Sequence, residues 1–331
     1  MTGGHHVRAA TRRLSIAIAM ALALSLSLSA SGLALGASSK PAVTTGSAVR
    51  LAPATATLLG KVDPNSAMTT YLFQYGPTKL YGATTAPAAA GGGSRAVDAV
   101  ADLVALTPAT TYHYRLVATN RNGQVKGRDR TFRTRPQPLG LTLASNPNPV
   151  GLGMPAVLAG SVTGTGNAGR QVVLHSNPFP YTQGFQPAAN AQLTDAQGAF
   201  AFPLLSVPLN TQYRVLTPSR PDVVSPIVTV GVAVRVGTNV SATRVLRGRN
   251  VRFSGTVRPA RVGAQIAIQK LRGTRWVTVT GTITRRGDAS FSRYAKRVRI
   301  VRGGSFRVFV SNLDGNFVSN GGRIVRIRSF R

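Results

Sequence analysis

The residues of this chain that could do chemistry are unevenly supplied: 331 residues carry 40 Lys and Arg, eight acids, four His and no Cys. Lack of cysteine removes disulfides, thiol nucleophiles and cysteine zinc sites together. All eight acids are Asp, so helices laced by Glu–Lys pairs are excluded. Outside the first 37 residues the histidines are His113 and His175. His113 falls on the outward face of a strand, and His175, beside Asn177-Pro178, is expected at a strand end. Neither has a carboxylate clustered near it in sequence, and no G-x-S-x-G elbow occurs. A carboxylate pair for glycoside chemistry would have to come from scattered Asp residues, mostly beside turn Gly or Pro. Asp98 and Asp102, the one close pair, read as bracketing a strand or loop. One-carboxylate turns cannot give Ca²⁺ its usual oxygen cage, and no EF-hand pattern is present. No catalytic, cofactor-binding or metal-ligating residue is therefore assigned, and a non-enzymatic protein without cofactors is expected. A pocket gathering His113 or His175 with an Asp would reopen the catalytic reading.

Three short motifs dissolve on inspection. Gly164–Gly169 spells G-x-G-x-x-G, but a dinucleotide loop must open a helix, and Gln171-Val172-Val173-Leu174 reads as a strand; the run is a loop between strands. Arg286-Gly287-Asp288 spells the integrin tripeptide at an expected hairpin tip, in a chain where Arg and Gly are abundant. Asn239-Val240-Ser241 is a formal glycosylation sequon, which matters only in a eukaryotic secretory pathway.

What does demand a partner is arginine. Residues 232–331 hold 22 Lys and Arg against Asp288 and Asp314, a formal +20. Residues 139–231 hold Arg170, Arg214 and Arg220 against Asp195 and Asp222, a formal +1. A field of +20 on about 100 residues attracts any polyanion, and the guanidinium fork suits phosphate and carboxylate. Strand alternation sets its direction. In Asn250-Val251-Arg252-Phe253, Arg252 opposes the apolar pair. Arg297 and Arg299 oppose Val298 and Ile300, Arg307 opposes Phe306 and Val308, and Arg326 and Arg328 oppose Ile327. With Arg302, these seven are the candidate polyanion-binding residues. Trp276 is expected in the core. No RNP aromatics, zinc finger or recognition helix is apparent, so nucleic acid is not the expected partner. The competing account is a solvated surface biased towards Arg by genome composition.

The elements that must position these residues are strands. Long amphipathic helical patterns are missing, and Val, Thr and Gly abound. In Leu106–Ala118 a Pro-centred corner, Leu106-Thr107-Pro108-Ala109-Thr110, leads into a strand that turns Tyr112, Tyr114, Leu116 and Ala118 to one face and His113 and Arg115 to the other. Leu58–Pro64 and Tyr71–Gly76 precede it; Asn120-Arg121-Asn122-Gly123 and Thr131-Phe132-Arg133-Thr134 follow. The corner resembles the tyrosine corner of Greek-key sandwiches, and residues 41–135 resemble a fibronectin type III domain of bacterial secreted proteins. The resemblance implies a fold and no ligand.

Arg135-Pro136-Gln137-Pro138 reads as a linker. Beyond it the chain repeats. Ala159–Val162 matches Ser254–Val257, Gly169–Leu174 matches Gly263–Ile268, Asp195–Phe200 matches Arg286–Phe291, Tyr213–Val215 matches Phe306–Val308, and Phe317–Ser319 echoes Val223–Ser225. The units 139–231 and 232–331, joined near Val230–Val234, have the size of an immunoglobulin-like sandwich and resemble bacterial Ig-like repeats. The expected fold class is thus all-β: three tandem Ig- or fibronectin type III-like sandwiches after an N-terminal signal helix. Residues 1–37 carry the layout of a secretory signal peptide: Arg8, Arg12 and Arg13, an apolar run from Leu14, then small residues with cleavage near Gly36 or Ala37. An uncleaved anchor over Leu14–Ala37 is the alternative; no later run is long enough to span a membrane.

The expectation is an exported surface or matrix protein, a spacer or adhesion rod whose basic C-terminal sandwich binds an anionic cell-envelope polymer or polysaccharide. The alternative is a module binding a neutral glycan or protein through loops of the first domain, such as Ala86–Arg95.

Overall fold

The computed structural model describes residues 38–311 and 314–331, and every regular element in them is a β-strand. The signal-segment reading of residues 1–37 lies outside the described residues. The chain divides into two compact units at Pro136/Gln137, inside the Pro-rich linker.

The first unit is built from β1 (Ala42–Val49), β2 (Ala56–Asp63), β3 (Thr69–Gly76), β4 (Ala88–Gly91), β5 (Val97–Leu103), β6 (Thr111–Asn120), β7 (Gly123–Lys126) and β8 (Arg130–Arg133). One sheet runs β1-β2-β5 and the other β4-β3-β6, with β7 and β8 both on the far side of β6. Pairs of consecutive strands are thus split between two sheets, the arrangement of a Greek-key sandwich. Alternate residues fill the gap between the sheets: Leu58, Val62, Phe73, Ala99, Tyr114 and Leu116 are buried. Gly60 is small because Leu116 reaches over it; a Cβ there would lie 2.7 Å from the Leu116 side chain. The corner before β6 is tied as its residues imply. Tyr112 Oη accepts the Thr107 backbone N–H at 3.0 Å. Across the sandwich, Tyr114 Oη donates to the Gly46 carbonyl at 2.7 Å, which the register break between Thr45 and Ala48 leaves free of the β1–β2 ladder. Ala86–Arg95, expected as an open loop, differs: Ala88–Gly91 is drawn into an edge strand against β3.

The second unit, residues 137–331, contains two sandwiches. The first has β9 (Ala144–Asn146), β11 (Ala156–Thr163) and β13 (Ala199–Leu204) in one sheet, and β12 (Gln171–Pro178) and β14 (Thr211–Thr217) with short edge strands in the other. The second has β16 (Arg235–Val236), β18 (Asn250–Arg258), β22 (Ser292–Arg299) and β21 (Arg285–Arg286) in that order. Facing it is β17 (Arg244–Leu246), β24 (Val325–Phe330), β23 (Gly304–Ser311), β19 (Gln265–Arg272) and β20 (Arg275–Ile283). The repeated stretches occupy equivalent places: β11 with β18, β12 with β19, and β14 with β23. Gly164–Gly169 is the loop between β11 and β12. The final strand pairs inside its own sandwich, with β23 and β17.

These two sandwiches share one hydrophobic core. Val230, Val232 and Val234 at the join are all buried, and the same cluster continues into Phe202, Phe253 and Phe317. Strand β10 (Val150–Gly151) pairs in parallel with β15 (Val232–Ala233), and Ala233 also bridges to Val318. Asn210 closes the joint: it donates to the Gly315 carbonyl at 2.7 Å and accepts the Val232 N–H at 2.7 Å. A hydrophobic join with paired backbone does not hinge freely. Truncating Asn210 orphans the buried Val232 N–H, a loss of about 1–3 kcal/mol. The single tryptophan, Trp276, lies in the last sandwich, so Asn210→Ala should lower the urea midpoint read by tryptophan fluorescence. An unchanged midpoint would show that the two sandwiches unfold independently.

Candidate functional site: a basic sheet face and seam

The outward face of the sheet β16-β18-β22-β21 follows from its inward one. Val251, Phe253, Tyr294 and Val298 are buried, so the residues between them face solvent. Pairing then sets like charges opposite each other: Arg235 across from Arg258, Arg252 from Arg297, and Arg285 from Arg293. Cross-strand partners point to the same side, and each such like pair is unfavourable by a few tenths to about 1 kcal/mol. Neither acid of this sandwich lies directly across a strand from any of them, although Asp288, in the turn after β21, feels the charge of Arg258. Asp288 accepts the N–H groups of Ser290 and Phe291 in its own turn at 2.6 and 3.2 Å, and Asp314 lies 3.6 Å from Arg261.

The seven predicted residues therefore fall into two places. Arg252, Arg297 and Arg299 lie on this sheet face, and Arg302 follows in the turn after β22. Arg307, Arg326 and Arg328 belong to the opposite sheet. Arg307 is not a free cation. Its Nε donates to Gln269 at 2.7 Å, and its guanidinium covers the rings of Trp276 at 4.5 Å and Phe309 at 5.3 Å. This also corrects the placing of Trp276: β20 is an edge strand, exposed along much of its length, and its indole packs under an arginine on the sheet surface rather than in the core. Tyr294, between Arg293 and Ala295 on β22, is buried. It donates to the Gly237 carbonyl at 2.8 Å, and burial pushes its phenol up to about 12.

Sequence reasoning missed Lys270, Arg272, Arg285 and Arg293. Lys270 and Arg272 line a cavity of about 800 Å³ with Arg297, Arg299 and Arg302. Burial, then the charges of Arg272 and Arg302, lowers the Lys270 pKa. Arg293 was legible by extending the β22 alternation two steps back from Arg297, past Ala295. The company kept by Lys270 and Arg272 was not, because it depends on which strand edges approach in space.

His113 keeps the outward side of β6 as expected, whereas His175 is not at a strand end. His175 sits within β12, half-buried, across from Arg214; burial and then that arginine lower its pKa. His113 meets Asp129, Nδ1 to Oδ2 at 2.8 Å, and Tyr81 donates to the other Asp129 oxygen at 3.0 Å. A His–Asp pair is what a catalytic reading asks for. Here it is flanked by Arg115, stacked on Tyr81 at 4.4 Å, and among the described residues no hydroxyl hydrogen-bonds either ring nitrogen of His113. What the cluster does is pin the segment before β8 onto β6. Asp98 and Asp102 are likewise engaged on β5, with Lys61 at 2.9 Å and Thr57 at 2.6 Å.

No protein-family model and no curated protein matches the chain. Among solved structures it is similar to domains A168–A170 of titin, at 16% identity over 88% of this chain and 100% of that one, with a TM-score of 0.37. It is also similar to the FN1–FN3 domains of chicken CNTN1, at 14% identity over 88% and 99%, TM-score 0.28, and to the D1–D4 ectodomain fragment of ICAM-5, at 14% over 87% and 76%, TM-score 0.33. The all-β sandwich fold stands on the strand pairing described above.

Burial raises the Asp129 carboxyl, but hydrogen bonds from His113 and Tyr81 and the charges of His113 and Lys79 outweigh it, so its pKa falls below the ordinary 3.8. A depressed carboxyl stabilises the fold above its unfolded pKa, and that contribution is lost as pH falls through the folded value. Asp129→Asn should therefore weaken hydrogen-exchange protection of β6 at neutral pH, with the difference from the parent chain shrinking below about pH 4. A difference independent of pH would rule the ionised cluster out as its cause.

Proposed function

We propose that this is an exported, non-enzymatic protein of tandem β-sandwiches, in which residues 38–231 act as spacer or adhesion modules and the last sandwich binds an anionic envelope polymer. The observation that carries the reading is the set of three arginine pairs placed directly across strands of one sheet, with no acid as a cross-strand partner of any of them. A sheet selected only to fold would set acids or neutral residues opposite those arginines. The neighbouring sandwich of the same repeat is close to neutral, with three arginines and two Asp over residues 139–231. Unrelieved positive charge disfavours the free protein and becomes favourable only when an anion lies on it. Placement outside the cell rests on the N-terminal sequence layout; among the described residues no helix is long and apolar enough to cross a membrane.

Because residues 139–231 and 232–331 share a core, the test uses the whole chain. Replacing Arg252, Arg297, Arg326 and Arg328 together by Ser should lower the salt needed for elution from a heparin-like anionic resin. The slope of log affinity against log salt should fall by up to about 0.9 for each anionic group that is no longer neutralised. Replacing four bases of the first unit, Lys61, Lys79, Arg95 and Lys126, should change elution far less. Equal shifts from the two sets would discard the assignment to the last sandwich.

A further inference from the structure

Strand β20 is the outermost strand of its sheet, and among the described residues β22 beyond Arg293 has no strand on its outer side. These two free edges belong to opposite sheets of one sandwich and run beside each other, with Cα atoms of one within 8 Å of the other. A peptide strand inserted between them would need about 9.6 Å, twice the ~4.8 Å spacing of paired strands. Where the edges approach, backbone pairing with a guest peptide is therefore excluded, and side chains must make the contacts.

Two cavities open along this seam. The larger, about 800 Å³, presents Lys270, Arg272, Arg297, Arg299 and Arg302, with Ile300 and Phe306 in its wall. The smaller, about 540 Å³, presents Arg252, Arg285, Arg286 and Arg293 beside Thr282 and Ile283 of β20. Arg252 of the smaller cavity and Arg297 of the larger are cross-strand partners. Neither is lined by an acid. From Arg293 to Arg299 the lining extends over about 20 Å at ~3.3 Å per residue. A cleft with apolar walls and charge of one sign focuses its field along its length, and a guanidinium fork grips each phosphate with two parallel bonds.

We propose that the seam between β20 and β22 is a track for a single linear polyphosphate-type polyanion, several of whose phosphates are held at once. This rests on the polyanion reading above and adds where the polymer lies and in what form: one chain in the seam, rather than a flat anionic layer against the sheet. A membrane surface or a lone phosphate ion cannot occupy both cavities together, whereas an extended chain can.

The test measures binding of long-chain inorganic polyphosphate to the whole chain at fixed ionic strength. Arg272→Gln with Arg297→Gln removes two seam charges and keeps much of each stem. Arg326→Gln with Arg328→Gln removes the same charge from the opposite sheet. The seam variant should lose roughly tenfold or more in affinity, and the control about threefold or less. Equal unfolding midpoints, read by tryptophan fluorescence, show that both still fold; if the double variant does not, Arg272→Gln alone, at the hairpin end of β19, keeps the comparison. Equal losses from the two pairs would overturn the track and leave a diffuse basic surface. Orthophosphate competing as well as polyphosphate, phosphate for phosphate, would also overturn it, since a track holds linked phosphates cooperatively. Failure of the unaltered chain to bind either polyphosphate or the anionic resin at low salt would instead remove the polyanion reading itself.

Discussion

Repulsion between arginines on one face of the last sandwich has to be overcome before anything else about it can work. Three like-charged cross-strand pairs together oppose the fold by roughly 1–3 kcal/mol. Against this, each fully buried Val, Ile or Phe contributes about 1.5–3 kcal/mol relative to an exposed one, and Val251, Phe253, Ile266, Ile268, Ile300, Val308 and Ile327 are all nearly or wholly buried. The apolar side of the strands thus outweighs the charged side severalfold. The period of two along a strand lets both exist in the same residues without compromise: one face packs, and the other is left free for charge.

The core that carries this load is not confined to one repeat. The valines at the join, Asn210 with its two backbone partners, and the bridge from Ala233 to Val318 merge the second and third sandwiches into a single packed body. The near-neutral sandwich therefore supports its basic neighbour directly. It also offers an internal comparison, since equivalent strands with a different outer face show that the fold does not require the arginines.

Ring contacts sort the basic residues further. Arg307 lies over Trp276 and Phe309 and is held by Gln269, so its charge is fixed in place and its apolar stem covers an otherwise exposed edge strand. Arg258 and Arg293 stand over the Phe291 ring at 5.2 and 5.4 Å. Arg293 and Lys270, which stands over Phe306 at 5.6 Å, are anchored on rings and also line the seam cavities, whereas Arg307 and Arg258 line neither of the two.

Much of this was legible in the residue order. Alternation placed Tyr112, Tyr114 and Leu116 inward, and Arg252, Arg297 and Arg299 outward, because a strand offers each residue only two sides. The Pro-centred corner announced the Thr107–Tyr112 bond, and turn residues marked the repeat. Three things were not legible, for one shared reason: each depends on elements distant in sequence. Trp276 is a residue type that favours burial, but β20 lies at a sheet edge. His113 showed no neighbouring acid, yet folding brings Asp129 to it from sixteen residues away. The seam gathers Arg272 from one sheet and Arg297 from the other. By itself the sequence determined which side of each strand is apolar, since that is a local matter of period. Only the tertiary structure decided which charged sides meet, since that depends on which edges the shared core draws together.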